Sequence, residues 1–137
     1  MLKKVHHIGI VARDADSALK PYVEGLKLQP GHSEVSEAAR VKIAFLPVGD
    51  VELELIEPLS DKGMVAEFLA RTGGGIHHVC FEVEDIDAAI AYLKSLNYQL
   101  VDQEPRRGNR GSRIAFLRPE QFGGVYVELC QPAQAGA

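Results

Sequence analysis

The sequence predicts an α+β fold built from two tandem βαβββ modules, because much of the chain occurs twice at a spacing of 71 residues. Three runs occur in both copies: residues 5–8 and 76–79, residues 43–46 and 114–117, and, after a three-residue insertion, residues 51–58 and 125–132. Alternation of strand-like and helix-like patterns within each copy supports the same conclusion. We therefore expect two copies of one supersecondary unit.

The strands are predicted from short runs rich in β-branched residues. Each module begins with such a run, and three more strands follow in each copy: residues 5–12, 28–34, 41–47 and 51–57, then residues 76–83, 99–104, 113–117 and 125–131. Module 1 is expected at about residues 5–58, the linker at 59–75 and module 2 at about 76–132, together forming a single domain. Within the linker, residues 60–71 are predicted to form a short helix.

One helix is predicted after the first strand of each module, and aspartates supply its cap. The candidate caps are Asp14 or Asp16 in module 1, and Asp85 or Asp87 in module 2. Pro21 lies inside the first predicted helix, where an interior proline removes a hydrogen bond at a cost of about 3 kcal/mol. We therefore expect a kink or a short helix at that position.

The composition limits the classes of function. A formal net charge of −4 and a pI of about 5.7 argue against nucleic-acid binding, which needs a basic surface. No stretch approaches the roughly 18 apolar residues of a membrane span, and no signal peptide is evident. Cys80 and Cys130 lie inside predicted strands and are expected to be reduced thiols in a cytoplasmic protein.

Four potential metal ligands occupy equivalent positions of the two modules: His7, Glu54, His78 and Glu128. Two imidazoles and two carboxylates suit a divalent transition metal such as Co, Zn, Mn, Ni or Fe. A fold that brings the copies face to face would gather all four into one site. Strand alternation alone leaves His6 and His77 as alternatives, since each precedes a candidate ligand.

These residues resemble the vicinal oxygen chelate (glyoxalase/bleomycin resistance/dioxygenase) superfamily over roughly residues 5–132, and most closely its methylmalonyl-CoA epimerase family. The likeness rests on residues 6–10, 44–49, 54–59, 75–78, 104–106 and 123–129. The resemblance implies a curved, barrel-like, eight-stranded mixed sheet around a metal held by His7, Glu54, His78 and Glu128. It also implies a homodimer that acts on a small-molecule acyl-CoA.

The resemblance further implies that the enzyme interconverts the two epimers of methylmalonyl-CoA through a metal-stabilised enolate. Inversion requires a base on one face of the substrate and an acid on the other. Glu128 is one candidate for this pair. The other is expected in the loop before residue 41, where Glu37 is preferred and Glu34 held in reserve, because the loop is longer by one residue than the family pattern.

A cluster of arginines around glycines could bind the phosphates of coenzyme A, through Arg106, Arg107 and Arg110. The alternative is a solvated hairpin tip. A second departure from the family pattern places Arg118 and Glu120 where relatives have histidine and lysine, and the acid disfavours an anionic substrate unless Arg118 compensates. His32 is expected to be a surface residue.

Two other functions remain open at this point. Glyoxalase I, a lyase of the same superfamily, isomerises a glutathione hemithioacetal and also uses two histidines and two glutamates. A metal-free binding protein of this fold would sequester a small molecule and needs no ligand quartet. The four intact ligands favour an enzyme over the binding protein.

Overall fold

The computed structural model describes residues 1–134, which contain eight strands and three α-helices. The strands are β1 (Leu2–Val11), β2 (Ser33–Ser36), β3 (Val41–Val48), β4 (Val51–Pro58), β5 (Gly75–Val83), β6 (Arg106–Arg107), β7 (Arg113–Leu117) and β8 (Tyr126–Gln131). The helices are α1 (Ala15–Lys20), α2 (Met64–Thr72) and α3 (Ile86–Ser95). This order confirms two βαβββ modules joined by α2. In the described residues, no helix is long and apolar enough to cross a bilayer.

The chain divides into two compact units, one from His7 to His77 and the other from Met1–His6 with the residues from His78 onward. In the first unit the strand order is β2-β3-β4-β1, with β1 parallel to β4 and the other pairs antiparallel. The second unit repeats this arrangement as β5-β8-β7-β6, with β5 parallel to β8. The fold is therefore duplicated in its strand pairing as well as in its sequence.

Both faces of the first sheet are buried, because successive side chains of a strand point to opposite faces. One face packs against α1 through a small cluster: Ala15, Ala44, Leu46 and Leu55. The opposite face packs against α2 through a second cluster: Val11, Val41, Ile43, Phe45, Ile56 and Phe68. In the second unit, one face of the sheet packs against α3: Val83, Ile86, Ala89, Ile90, Leu100, Ala115, Leu117 and Leu129.

The helices that open each module begin in the same way. Asp14 caps α1 and Asp85 caps α3, each accepting a hydrogen bond from the N–H three residues ahead at 3.1 and 3.0 Å. The first N–H of each helix donates to a side chain at the end of its own sheet, Glu57 in module 1 and Gln131 in module 2, both at 2.9 Å. These bonds fix each helix on its sheet.

The first helix is short, as the proline predicted. α1 ends at Lys20, and Pro21–Gly25 forms a single π-helical turn closed by the N–H of Leu26 donating to the carbonyl of Pro21. Because proline has no N–H, the α-helical hydrogen bonding cannot continue through that residue. The chain then leaves the helix toward β2.

The predicted strand at residues 99–104 is wrong. Leu100 makes only an isolated bridge, and the strand forms later, at Arg106–Arg107. The reason lies in Asp102, whose carboxylate accepts the backbone N–H of Phe116 at 2.9 Å and replaces the main-chain carbonyl that a regular strand would offer. Similarly, β2 begins later than residue 28, and α2 later than residue 60.

Candidate functional site

The first histidine–glutamate pair lies on neighbouring strands of the first unit. Gly9 of β1 is directly opposite Glu54 of β4, so His7, two residues before Gly9, projects from the same face as Glu54. Nδ1 of His7 lies 3.4 Å from Oε2 of Glu54, and the residues are only 7% and 6% exposed. A carboxylate buried this deeply needs positive charge or hydrogen bonds around it, and a divalent cation is one group that supplies such charge.

The second pair repeats this geometry in the second unit. Cys80 of β5 is opposite Glu128 of β8, so His78, two residues before Cys80, shares the face of Glu128. Nε2 of His78 lies 3.4 Å from Oε1 of Glu128, and both residues are 5% exposed. The duplication therefore extends to the register, the spacing and the burial of the two side chains.

Both pairs fit the ligand geometry of a divalent cation. A cation about 2.1 Å from one imidazole nitrogen and one carboxylate oxygen holds those atoms roughly 3.0 to 3.4 Å apart, for coordination angles of roughly 90° to 109°. The observed separation of 3.4 Å in each pair falls at the upper end of that range. The donor chemistry and the spacing are thus compatible with a metal bound through each pair.

The packing of His77 supports His78 as the ligand in module 2. His77 is 1% exposed and meets the ring of Phe68 edge-on, with ring centroids 4.9 Å apart. This contact is typical of a core aromatic side chain. Cys80 and Cys130 are buried thiols, as predicted.

Phe45 of β3 is the neighbour of Glu54 on the next strand of the first sheet. Phe45 is directly opposite Glu54, and the ring of His32 stacks on Phe45 with centroids 4.6 Å apart and planes 19° apart. Nε2 of His32 lies 2.9 Å from Oε1 of Glu34, within hydrogen-bonding distance. Glu34 is opposite Ile43 of β3, so its side chain lies on the face that carries Glu54.

The second sheet has the same phenylalanine but a different outer neighbour. Phe116 is directly opposite Glu128, and the ring of His78 meets it edge-on at 5.5 Å. The guanidinium of Arg106 lies over the same ring, 5.5 Å from its centroid, in a cation–π contact. Nε of Arg106 also donates to Asp102 at 3.0 Å, which fixes the arginine above the ring.

The predicted acid/base residues of the first hairpin occupy different environments. Glu37 begins the exposed four-residue turn between β2 and β3, beyond the last paired residues, Ser36 and Val41. Glu34 is half-buried on β2, on the face of Glu54. The register therefore places Glu34, and not the turn residue Glu37, on the strand face that carries Glu54.

The arginines of the β6–β7 hairpin point in different directions. Arg106 and Arg107 are consecutive in a strand and lie on opposite faces, while Arg110 sits in a 3₁₀ turn with φ of +57°. Arg113 makes two hydrogen bonds to the carboxylate of Asp87 at 2.7 and 2.9 Å. Arg113 is thus hydrogen-bonded to α3, whereas Arg106 lies on the face of the sheet that carries Glu128.

Arg113 and Lys42 form equivalent ion pairs away from the ligand faces. The hydrogen bonds from Arg113 hold the pKa of Asp87 below its ordinary value, and Asp87 in turn raises the pKa of Arg113. In module 1 the pKa of Lys42 is raised, chiefly by its hydrogen bond to Asp16 at 2.9 Å. Both pairs join β3 or β7 to the helix of the same module.

The charge of Glu120 is partly balanced by Arg118, as the sequence suggested. Nη2 of Arg118 lies 3.3 Å from Oε1 of Glu120. A hydrogen bond from its own backbone N–H lowers the pKa of Glu120, and Arg118 adds to that effect. The acid at position 120 therefore has the guanidinium of Arg118 close by.

Sequence reasoning missed the roles of His32 and Asp102. His32 is about half exposed, as a surface residue should be, yet it stacks on Phe45 and contacts Glu34. The available signal was the alternation within residues 32–34, which puts both side chains on one face. No comparable signal pointed to Asp102, because its side chain, rather than its backbone, pairs with β7.

Comparison with known proteins shows what the chain is similar to. Residues 6–116 match the model of the glyoxalase/bleomycin resistance protein/dioxygenase superfamily. The ethylmalonyl-CoA/methylmalonyl-CoA epimerase of Cereibacter sphaeroides is 34% identical over 133 residues, which are 96% of this chain and 99% of that protein.

Solved structures give the same result for the fold. A methylmalonyl-CoA epimerase in complex with methylmalonyl-CoA and NH4+ superposes with a TM-score of 0.90 at 35% identity, covering 97% of this chain and 96% of that one. A Streptomyces coelicolor methylmalonyl-CoA epimerase variant in complex with 2-nitronate-propionyl-CoA gives 0.90 and 35%, with 97% and 96% covered. These similarities confirm the predicted fold class.

Proposed function

We propose that this chain, which belongs to the glyoxalase/bleomycin resistance protein/dioxygenase superfamily, is an isomerase that epimerises methylmalonyl-CoA or a closely similar acyl-CoA. The similarity to epimerases along nearly the whole chain carries this proposal. Two buried histidine–glutamate pairs support it independently, because removal of a proton beside a thioester needs strong stabilisation of negative charge.

We propose that His7, Glu54, His78 and Glu128 are ligands of one divalent ion, with Co, Zn, Mn and Ni as candidates. The donor types and the matching 3.4 Å separations support this assignment. When bound, such an ion would stabilise the charge that develops on the substrate oxygens.

Glu128 is proposed as one of the two acid/base groups. It is directly opposite Phe116 on the neighbouring strand and only 5% exposed. The second group is proposed on the β2–β3 hairpin, where Glu37 and Glu34 are the two candidates. A proton removed from one face of the substrate and another delivered to the opposite face would invert the centre.

Arg106, Arg107 and Arg110 are proposed to bind the coenzyme A part of the substrate, where forked guanidinium donors suit phosphates and carboxylates. Their exposure supports access by a ligand from solvent. We further propose a single-domain, cytoplasmic homodimer with no nucleic-acid or membrane partner.

The test is α-proton exchange of methylmalonyl-CoA in deuterated water, followed by NMR, with bound metal measured on the same preparation. We expect exchange and epimerisation that stop on chelation and return with added metal. Exchange that survives complete metal removal would refute the metal-dependent mechanism. Turnover of a glutathione hemithioacetal without exchange would establish the glyoxalase alternative, and tight binding without any turnover would establish the binding protein.

Metal stoichiometry tests whether the two pairs share one ion. We expect one equivalent of metal per chain, lost when either His7→Ala or His78→Ala removes a single ligand. Two equivalents, of which each variant loses one, would show that the pairs bind metal independently. Lys20→Ala, an exposed change on α1, is the matched control and should leave the metal content unchanged.

A further inference from the structure

We propose that Tyr126 sets the upper size of the α-substituent that the enzyme accepts. The role rests on the proposed function and names its substrate class: CoA thioesters of malonate that carry one short alkyl group on the α-carbon. That alkyl group packs against the ring of Tyr126, beside the histidine–glutamate pair of module 2.

Tyr126 lies directly beside both proposed ligands of module 2. It is opposite His78 in the register of β5 and β8, and it precedes Glu128 by two residues on β8. Paired residues of neighbouring strands, and alternate residues of one strand, point to the same face of a sheet. The ring of Tyr126 therefore projects from the face that carries His78 and Glu128.

The ring of Tyr126 belongs to an aromatic wall formed by His78, Phe116 and Tyr126. Tyr126 meets the ring of Phe116 edge-on, with centroids 6.1 Å apart and planes 84° apart. His78 meets the same ring edge-on, at 5.5 Å and 82°. Edge-to-face contacts at these distances are favourable between aromatic rings, so the three rings stabilise one another's orientation.

Tyr126 is the member of the aromatic wall that a ligand can reach. His78 and Phe116 are each 5% exposed, whereas Tyr126 is only half-buried. Small-molecule sites are lined mainly by apolar and aromatic side chains of this kind. The accessible side of Tyr126 therefore offers an apolar surface to a molecule bound at the ligand pair.

Module 1 has a different residue at the equivalent position. Glu52 corresponds to Tyr126 in the repeated runs, and it is opposite His7 as Tyr126 is opposite His78. The ligand pair is the same in both modules, but this neighbour is a carboxylate in one and an aromatic ring in the other. Covering a carboxylate with an alkyl group removes it from water at a cost, whereas covering an aromatic ring is favourable. The alkyl group of the substrate is thus expected at module 2.

The packing of the ring turns this contact into a size limit. A ring packed against Phe116 cannot move aside without losing that contact, so a longer alkyl group meets the ring of Tyr126. One methylene more or less in an apolar pocket changes kcat/KM by roughly 10- to 200-fold. We therefore expect the unmodified protein to favour methylmalonyl-CoA over propylmalonyl-CoA by at least about tenfold.

The test compares Tyr126→Leu with Tyr126→Phe on these two esters. Tyr126→Leu removes the ring and should lower the preference for the methyl group at least about tenfold, chiefly by raising kcat/KM for propylmalonyl-CoA. Tyr126→Phe keeps the ring and should keep the preference. Tyr92→Leu, the same change at an exposed position of α3, is the matched control and should also keep it.

A binding measurement gives the same preference without turnover. Dimethylmalonyl-CoA and dipropylmalonyl-CoA have no α-proton and cannot be epimerised, so calorimetric titration reports their affinities alone. The unmodified protein should bind the dimethyl ester at least about tenfold more tightly, and Tyr126→Leu should remove most of that difference. The metal content of Tyr126→Leu should equal that of the unmodified protein.

Several results would overturn the role of Tyr126 and leave the epimerase proposal intact. An unmodified protein that accepts both alkyl sizes equally, or a Tyr126→Leu variant with an unchanged preference, would show that the ring sets no limit. Loss of the preference in Tyr126→Phe would assign it to the hydroxyl group. Loss of metal in Tyr126→Leu would show that the ring only supports the ligands.

Failure of the proposed function gives a different result. Absence of epimerisation of both esters by the unmodified protein would overturn the epimerase proposal. The affinities of the two unreactive esters for the unmodified protein and for Tyr126→Leu would still decide the role of Tyr126.

Discussion

The two sheets carry the same inner row of side chains and different pairs of side chains in the outer row. In each, a histidine and a glutamate 3.4 Å apart lie beside a phenylalanine on the next strand. Beyond the phenylalanine, module 1 places the His32–Glu34 pair, and module 2 places the Asp102–Arg106 pair. Each outer pair puts a nitrogen-bearing side chain over the ring, the imidazole of His32 or the guanidinium of Arg106.

This difference shows how a duplicated scaffold can support an asymmetric reaction. The proposed ion requires equivalent donors in both copies, which accounts for the matching inner rows. The outer row has no such requirement, and its residues differ: His32 and Glu34 in one copy, Asp102 and Arg106 in the other.

The largest expected effect separates the two ligand glutamates. Glu128→Gln should lower kcat more than about 100-fold, because an amide cannot accept and return a proton as a carboxylate does. Glu54→Gln keeps an oxygen ligand and should retain substantial activity with weaker metal binding. Parallel kinetics and metal analysis of the two variants provide the check, and equal losses of activity would mean that Glu128 acts only as a ligand.

The next effect is on stability, at glycines next to the outer strand of each sheet, Gly31 before β2 and Gly108 after β6. A Cβ at Gly31 would lie 2.6 Å from the backbone carbonyl of Phe45, whereas one at Gly108 would meet the side chains of Ser112 and Ile114 at 2.6 Å. Backbone cannot move aside as a serine hydroxyl can, so Gly31→Ala should destabilise by about 2–3 kcal/mol and Gly108→Ala by about 1 kcal/mol less. Urea denaturation measures both, and the reverse order would contradict this account of the packing.

A smaller effect is expected from the outer cation of module 2. Arg106→Met keeps an apolar stem over Phe116 but removes the charge that faces the side of Glu128. We expect the KM for the acyl-CoA to rise about tenfold, since a charge-assisted contact contributes roughly 1.5 kcal/mol or more. Lys20→Met, an exposed change on α1, is the control; an equal rise in both would mean that the protein attracts the substrate only through its net charge.

The smallest effects concern the equivalent ion pairs, Arg113 with Asp87 and Lys42 with Asp16. Because the folded pKa of Asp87 is lowered, its contribution is present above the ordinary aspartate pKa and is lost as the pH falls through the lowered value. The pKa of Lys42 is raised, so its contribution is present at neutral pH and is lost as the pH rises through that higher value.

Arg113→Ala and Lys42→Ala should therefore each lower Tm by roughly a few degrees at most near neutral pH, since exposed pairs contribute little. The difference for Arg113→Ala should shrink in strong acid, and that for Lys42→Ala in strong base. Calorimetry across pH checks both. If the lowering of Tm does not change with pH, its cause is the lost packing of the arginine and lysine side-chain stems and not the ion pairs.

Most of the fold was predictable because it is local or repeated. The caps at Asp14 and Asp85, the early end of α1 at Pro21 and the paired strands all follow from side-chain chemistry at fixed spacing. The repeat also marks His7 and His78, each of which lies 3.4 Å from the glutamate of its own module; their role as metal ligands stays a prediction. The caps, the proline and the sequence repeat were therefore enough to predict this part of the fold.

The rest depended on contacts between distant side chains. The strand expected at residues 99–104 is displaced because the carboxylate of Asp102 binds the N–H of Phe116, fourteen residues away. The stack of His32 on Phe45 requires a hairpin register that the sequence does not specify, since the start of β2 was itself misplaced. Alternation predicted the faces of these strands but could not predict their partners.

The aromatic rings between the two rows have a consequence of their own. Were Phe116 a small residue, the guanidinium of Arg106 would be free to collapse onto the carboxylate of Glu128 and neutralise it. The ring of Phe116 separates the guanidinium of Arg106 from Glu128, and the carboxylate of Asp102 accepts a hydrogen bond from Arg106. The contacts with Phe116 and Asp102 thus hold the positive charge of Arg106 on the face that carries Glu128.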